Sequence, residues 1–368
     1  MRVPQVDLKA QFAFLREEVL SALDRVGQSA SFILGDEVAR FEEEFAAFCE
    51  VKHCVAMNSG TSALHAALLA AAVKPGDEVI TTPNTFIATA EAISYTGAKP
   101  VFVDIDPASA NIDPRQIERA ITKATRAIVP VHLYGRPADM DAIIALAERR
   151  GVAVIEDACQ AHGARFRGKR VGGFGRAAAF SFYPAKNLGA YGEGGALTTN
   201  DDKVAAAARA LRNHGETSRY FHDFVGYNYR MDGFQGAILR VKLKRLDQWT
   251  ARRREIARRY EKLLAGARVA LPQDHPGGES VFHLFVVYVE NRDAVRSALE
   301  ARGVQTAIHY PRPLHMQKAY AGLGHGRGSF PNTERACERA LSLPLFPEMT
   351  DEQVEYAART LAEIVGVK

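Results

Sequence analysis

The residues best placed to do chemistry gather around one lysine. The stretch Phe180-Ser181-Phe182-Tyr183-Pro184-Ala185-Lys186-Asn187-Leu188-Gly189 begins in an apolar run, Ala177-Ala178-Ala179-Phe180, with the length and flanks of a buried strand. Pro184 cannot donate to a sheet ladder and so closes that strand. Gly189, Gly192, Gly194 and Gly195 follow, and glycine lets a backbone turn sharply and approach a ligand closely. No adjacent carboxylate pairs with Lys186 in the sequence, so an amine at the mouth of a buried strand loses proton affinity by desolvation. A lysine that forms a Schiff base with a carbonyl needs that property. In isolation the same pattern describes a solvated loop lysine, so the case rests on what the rest of the chain sets beside it.

Strand-like and helix-like segments alternate through the first two hundred residues. The helical spacing of Phe12, Leu15, Val19 and Leu23 resumes after Gly35 with Val38, Phe41, Phe45 and Phe48. The strand His53–Met57 leads into Asn58-Ser59-Gly60-Thr61-Ser62 and an alanine-rich helix. That small polar loop at a helix start is either an anion site, with free N–H groups facing the charge, or a plain N-cap. Further strands are expected at 78–82, 100–104, 127–132 and 152–157, with helices at 85–95, 114–120 and 140–150 between them. Such alternation implies right-handed crossovers and a mostly parallel sheet covered on both faces. Ligands of such sheets sit at the carboxyl ends of the strands. Asn58, Pro83-Asn84-Thr85-Phe86, His132, Asp157 and Lys186 all fall there.

Composition sets the outer bounds. The 368 residues are 47% hydrophobic and 24% charged, enough for one large domain and a smaller one. No leading basic-then-apolar segment opens the chain and no apolar run is long enough for a bilayer, so the expectation is a cytoplasmic protein. Cys49, Cys54, Cys159 and Cys337 lack metal-ligand or disulfide spacing and read as reduced thiols. A net charge of +4 suits an anionic small molecule without marking nucleic-acid binding. The basic run Arg252 to Arg259 reads as the wet face of a helix, because Leu246, Trp249, Ile256 and Tyr260 recur at helical spacing. After about Gly266 the texture becomes that of a small α+β unit: strand 282–288, helix 292–302, strand 306–310, a Pro/His-rich loop and a last helix 351–364. The expected domains are residues 1–250 and 251–368, with an N-terminal helix that could pack on the smaller one.

Several motifs occur in order at full-length spacing: Phe32-Ile33-Leu34-Gly35, Asn58-Ser59-Gly60-Thr61, Thr82-Pro83-Asn84-Thr85-Phe86 and Val131-His132-Leu133-Tyr134-Gly135. They continue as Glu156-Asp157-Ala158-Cys159-Gln160-Ala161-His162-Gly163, Ser181-Phe182-Tyr183-Pro184-Ala185-Lys186-Asn187, Arg230-Met231-Asp232 and Leu341-Ser342-Leu343-Pro344. Through them the chain resembles, over nearly its whole length, the DegT/DnrJ/EryC1/StrS group of pyridoxal-phosphate-dependent sugar aminotransferases. The resemblance implies fold type I: a three-layer αβα large domain with a mostly parallel sheet, plus the smaller C-terminal α+β domain.

The same resemblance implies roles. Lys186 would form the Schiff base with pyridoxal 5'-phosphate and then shuttle protons, while pyridoxamine 5'-phosphate carries the amine between half-reactions. Asp157 would keep the pyridinium nitrogen protonated, Phe86 would stack on the ring, and Gln160 would bond its phenolic oxygen. For Phe86 ordinary core packing is the competing reading. Gly60, Thr61, Ser62 and the Ser181 hydroxyl would hold the phosphate, with Asn228 reaching it from the other subunit of a homodimer. On the substrate side stand Tyr183, His309 and Tyr310, with Arg219 and His214 further out. His65, His162 and His315 read as structural, and Arg176 stands where an acidic or neutral residue is expected.

The implied reaction takes the amine of L-glutamate to a nucleotide-linked keto-sugar, most closely C3 of a dTDP-3-keto-6-deoxyhexose. Amination at C4 of a dTDP- or UDP-4-keto-sugar, other UDP-linked keto-sugars and an inositol ketone remain alternatives, as does a non-catalytic regulator that kept the fold. No arginine is assigned to the donor carboxylate, and neither a metal, nucleic acid nor a membrane is expected.

Overall fold

The computed structural model describes residues 1–367. Its centre is a seven-stranded sheet built from β1 (His53–Met57), β2 (Glu78–Thr81), β3 (Lys99–Phe102), β4 (Thr125–Ile128), β5 (Ala153–Asp157), β6 (Ala177–Ser181) and β7 (Gly195–Thr199). The order across the sheet is β1-β7-β6-β5-β4-β2-β3. Only β7 runs antiparallel to its neighbours, which leaves β1 pointing the same way as β6. The carboxyl ends of six strands therefore open on one edge, as the alternating pattern predicts.

Side-chain alternation decides the layers. Val55, Met57, Ala177 and Ala179 face one side and pack on α3 (Gly60–Ala70), α4 (Ala88–Tyr95) and α7 (Asp202–Arg212). Cys54, Ala56, Ala178 and Phe180 face the other, against Phe41 and Phe45 of α2 (Gly35–Phe48). Ile80, Ile128 and Val154 continue that side onto Met140, Ile143 and Leu146 of α6 (Met140–Arg150). Helix α5 (Pro114–Ala120) adds Ile117 to the same cluster.

Helix α1 (Leu8–Ser29) lays Leu15, Val19, Ala22 and Val26 on α8 (Gly233–Leu243) and on Trp249. It does not join the C-terminal core; Val3, ahead of it, does. Helix α9 (Leu246–Leu263) crosses residue 250 without a break. Leu246 and Trp249 at its start belong to clusters of the large layer, whereas Ile256 and Tyr260 belong to the C-terminal core. That core also holds α10 (Arg292–Ala301), α12 (Asp351–Val365) and the antiparallel pair β8 (Phe285–Tyr288) and β9 (Ala340–Leu343), with α11 (Pro331–Arg339) leading into β9.

The strand expected at 306–310 does not form. Ala307 makes a single bridge to Ser342 of β9, and the chain then turns away at Pro311 and Pro313, which have no N–H to extend a ladder. The turn leaves His309 and Tyr310 beside the large sheet.

Beneath the site lies a fully buried carboxylate. Glu156 accepts N–H bonds from Gly172 (2.9 Å), Phe174 (2.8 Å) and Gly175 (2.9 Å), and its fourth contact is His132 Nε2 at 3.1 Å. His132 Nδ1 accepts the Ala138 N–H at 3.0 Å, so its proton sits on Nε2 and points at Glu156. Burial alone would raise the Glu156 pKa, but these donors together hold it below the usual carboxylate value. Glu156→Gln places an NH2 against backbone donors and should cost about 2–4 kcal/mol in urea unfolding. Wild-type stability in that variant would contradict the account.

Candidate active site

A cavity of about 620 Å³ opens at the carboxyl ends of the strands. The end of β6 and the loop after it bring Ser181, Tyr183 and Lys186 to it; the end of β5 and the turn after it bring Asp157, Cys159 and Gln160; the loop after β2 brings Thr85 and Phe86, and the start of α4 brings Thr89. Gly60 and Thr61 open α3 on one wall, and His309 and Tyr310 close the opposite one.

Lys186 is partly buried and in no ion pair among the described residues. Burial pushes its ammonium below the ordinary lysine range, against smaller opposing pulls from Cys159 and Asp157. Asp157 is buried and equally without a salt bridge among those residues. One oxygen accepts the Thr89 hydroxyl at 2.7 Å and the other the Cys159 N–H at 3.2 Å. The single Thr89 proton goes to the carboxylate, so Thr85, 2.9 Å away, must donate to Thr89. This hydroxyl chain fixes the carboxylate plane. Sequence reasoning missed Thr89, which has no motif of its own and is found only through its place on α4.

Gln160 Oε1 accepts the Tyr134 N–H at 2.7 Å, which orients its Nε2 onto the Tyr310 hydroxyl at 3.1 Å. Tyr310 lies 5.8 Å, ring to ring, from Phe86. Phe86 is 54% exposed, and its face is turned to the cavity rather than spent in the core. His309 is fixed through Nδ1 to Ser342 Oγ at 2.8 Å; burial, then the charge of Lys186, drives its pKa down to about 4.

At the start of α3 the N–H groups of Gly60 and Thr61 have no partner among the described residues. A Cβ at Gly60 would stand 2.7 Å from Ser181 Cβ and 2.9 Å from Cys159 Sγ, so only glycine lets the helix approach this closely. Ser62 faces elsewhere: its N–H is capped by Ser59 Oγ at 3.1 Å and its hydroxyl donates to Asn58 at 2.6 Å. The N-cap is at Ser59, and it leaves the Gly60 and Thr61 N–H groups without a partner among the described residues.

Asn228 and Arg219 do not line the cavity. Asn228 is exposed, its carbonyl bonded by Asn58 at 3.3 Å, and Arg219 lies on the 216–222 hairpin with its guanidinium over Tyr220. His214 is likewise exposed and outside the cavity. Arg253, assigned from the sequence to a wet helix face, is instead buried and borders the cavity. It lies four residues after Trp249 and seven before Tyr260, on the apolar stripe, and that spacing is the signal that would have found it. His65 and His162 are buried outside the cavity, His65 against Tyr227 and Tyr229 and His162 against Phe180 and Phe182.

The DegT/DnrJ/EryC1/StrS aminotransferase family matches residues 14–362. The chain belongs to this family. It is 49% identical over 366 residues to a "pleiotropic regulatory protein" of Geobacillus stearothermophilus, covering 99% of this chain and 98% of that one. It is 48% identical to the dTDP-3-amino-3,4,6-trideoxy-alpha-D-glucose transaminase of Streptomyces venezuelae, covering 96% and 93%. The crystal structure of S. venezuelae DesV in complex with a ketimine intermediate superposes with a TM-score of 0.98 at 47% identity, covering 100% of this chain and 99% of that one. This is an aminotransferase of the DegT/DnrJ/EryC1/StrS family, whose members depend on pyridoxal phosphate. Its fold is theirs, as the sequence motifs imply.

The residues present fit that cofactor. Two free N–H groups at a helix start suit a phosphate, a buried carboxylate without an ion pair among the described residues suits a protonated ring nitrogen, and Lys186 lines the same cavity. Thr89→Val should leave the fold intact and weaken cofactor affinity by roughly tenfold, by freeing the Asp157 carboxylate. An absorbance titration with the same half-saturation as wild type would refute this.

Burial of neutral imidazoles, His283 among them, is expected to make the protein acid-sensitive. Burial drives His65 and His309 to about 4 and His162 to about 3. Their folded values lie below the unfolded one, about 6.5, so below that pH the unfolded chain binds more protons. Stability is therefore expected to fall as pH drops from about 6.5 toward 4. A melting temperature constant from pH 7 to 5 would exclude it.

Proposed function

We propose that this chain moves the amino group of L-glutamate to C3 of a dTDP-3-keto-6-deoxyhexose. The observation that carries the reading is Lys186: an amine lowered by burial, in no ion pair, in a cavity that also holds Asp157 and two free helix N–H groups. When bound, pyridoxal phosphate supplies the electron sink that amine transfer needs. Lys186 is the amine that would hold the cofactor; when free, it would take the proton from the carbon bearing the donor amine in the first half-reaction and deliver one to the sugar carbon that receives the amine in the second. Asp157, oriented by Thr89, would face the ring nitrogen; Phe86 would pack on the ring; Gln160 would bond the phenolic oxygen; Gly60, Thr61 and Ser181 would receive the phosphate. Tyr183, His309 and Tyr310 line the same cavity, which supports the reading that they contact the sugar.

C3 is favoured by the name of the S. venezuelae relative, a dTDP-3-amino-3,4,6-trideoxy-alpha-D-glucose transaminase at 48% identity. Amination of a 4-keto-sugar, dTDP- or UDP-linked, uses the same cavity residues and is distinguished by the position of the product amine. We further propose a homodimer in the cytoplasm. Asn228, outside its own cavity, would complete the phosphate site of a second copy, and Arg219 would approach that copy's sugar. Exposed Tyr220, Phe221 and Val225 on and beside the 216–222 hairpin give such a partner an apolar seat. A regulatory role is the second reading, favoured by the name of the Geobacillus relative; the intact Lys186–Asp157 cavity supports catalysis.

Purified protein should be yellow and bleach on adding glutamate, whereas a protein that stays colourless with added pyridoxal phosphate would be the regulator. Incubation with dTDP- and UDP-keto-sugars, with the new amine located by NMR, then decides C3 against C4. Lys186→Ala should abolish amine transfer while the dimer persists in sedimentation, and turnover retained without added amine buffer would overturn the assignment.

A further inference from the structure

The cavity contains a cation that the residues above leave unused. Arg253 projects from α9 and is only 5% exposed, yet borders the space around Lys186. Its Nη1 donates to the carbonyls of Phe282 (3.2 Å), Leu345 (3.0 Å) and, at the limit, His283 (3.5 Å). Neither Nε nor Nη2 has a hydrogen-bond partner among the described residues, and Nε is a buried donor. Arg253 is in no salt bridge among them; Glu348 pulls on it from beyond ion-pair distance and shares that pull with buried Lys242. Burial, opposed only by Glu348, brings the guanidinium down to about 10, so it stays charged at neutral pH.

A buried charge without a hydrogen-bonded counter-ion is costly, and among the described residues Glu348 acts on Arg253 only from beyond ion-pair distance. The carbonyls of Phe282 and Leu345 take the two protons of Nη1 and hold the group still without cancelling its charge. The remaining Nε–Nη2 edge is the fork that accepts a carboxylate through two parallel N–H bonds. We infer that Arg253 binds a carboxylate of the amino donor. The inference rests on the amino-transfer reading above and adds the anchor that sequence reasoning left unassigned. A carboxylate held here lies in the same cavity as Lys186, on the side of the C-terminal unit, and leaves Tyr183, His309 and Tyr310 to the sugar.

The test uses the full-length holoenzyme and two variants. Arg253→Lys keeps the charge and one carbonyl bond but loses the fork; Arg253→Met removes both and serves if the lysine rebuilds a contact. Half-saturation for bleaching by L-glutamate should rise by roughly tenfold or more in each, through loss of a bidentate charge-assisted pair. Calorimetric titration with glutarate, which has both carboxylates and no amine, should show binding to wild type and loss of it in the variants. If wild type bleaches with glutamate and Arg253→Lys bleaches at the same concentration, Arg253 is a strut for three carbonyls and the inference fails, whatever its melting temperature. Wild type that binds no glutarate also counts against it. If wild type itself does not bleach, the amino-transfer reading falls first, a result separable from either of these.

Discussion

Two consecutive carboxylates at the end of one buried strand impose most of the order in this site. Side chains alternate across a sheet, so Glu156 and Asp157 must face opposite sides. Glu156 is saturated by three backbone N–H groups and His132, and it pins the 172–175 turn beneath β6. Asp157 points into the cavity with two neutral donors and no cation. Satisfying one carboxylate inside the fold leaves the other facing the cavity with only neutral donors among the described residues.

The surrounding groups follow from that asymmetry. Lys186 leaves the strand next to β5 and sits in the same low-dielectric space, so desolvation rather than a neighbouring charge sets its proton affinity. A carboxylate in direct contact would undo this by restoring the ammonium. The hydroxyl chain from Thr85 through Thr89 orients Asp157 without adding charge. Neutral His309 likewise lines the wall without bringing a second positive charge to the amine.

The C-terminal unit contributes more than cover. Helix α9 runs from the large layer into the second core, and Arg253 hangs from it into the junction with carbonyls of Phe282 and Leu345 around it. Val3 bridges to Val304, and the residues after it, Gln5 and Val6, reach the cavity wall. The site is therefore assembled from the N-terminus, the sheet edge and the C-terminal unit together, a reason for its motifs to be spread along the whole chain.

The sequence by itself determined the layered α/β plan, because periods of two and of 3.6 in the apolar residues survive any tertiary arrangement. It also placed Asn58, His132, Asp157 and Lys186 at strand ends, since each ends or follows an apolar run, whereas Gln160 and Gly60 are singled out only by the family resemblance. Tertiary structure alone decided which neighbours those residues acquire. Thr89 meets Asp157 across 68 positions and Tyr134 meets Gln160 across 26, contacts that no local pattern encodes. Ser62 turned inward to Asn58 because its N-cap claimed it, and the 306–310 segment gave up its ladder at two prolines. Arg253 shows the boundary most plainly: its spacing put it on the apolar stripe of α9, but only the packed fold reveals that carbonyls occupy one of its nitrogens and leave two others free. Local periodicity reports which face a residue shares; what lies against that face is a property of the whole chain.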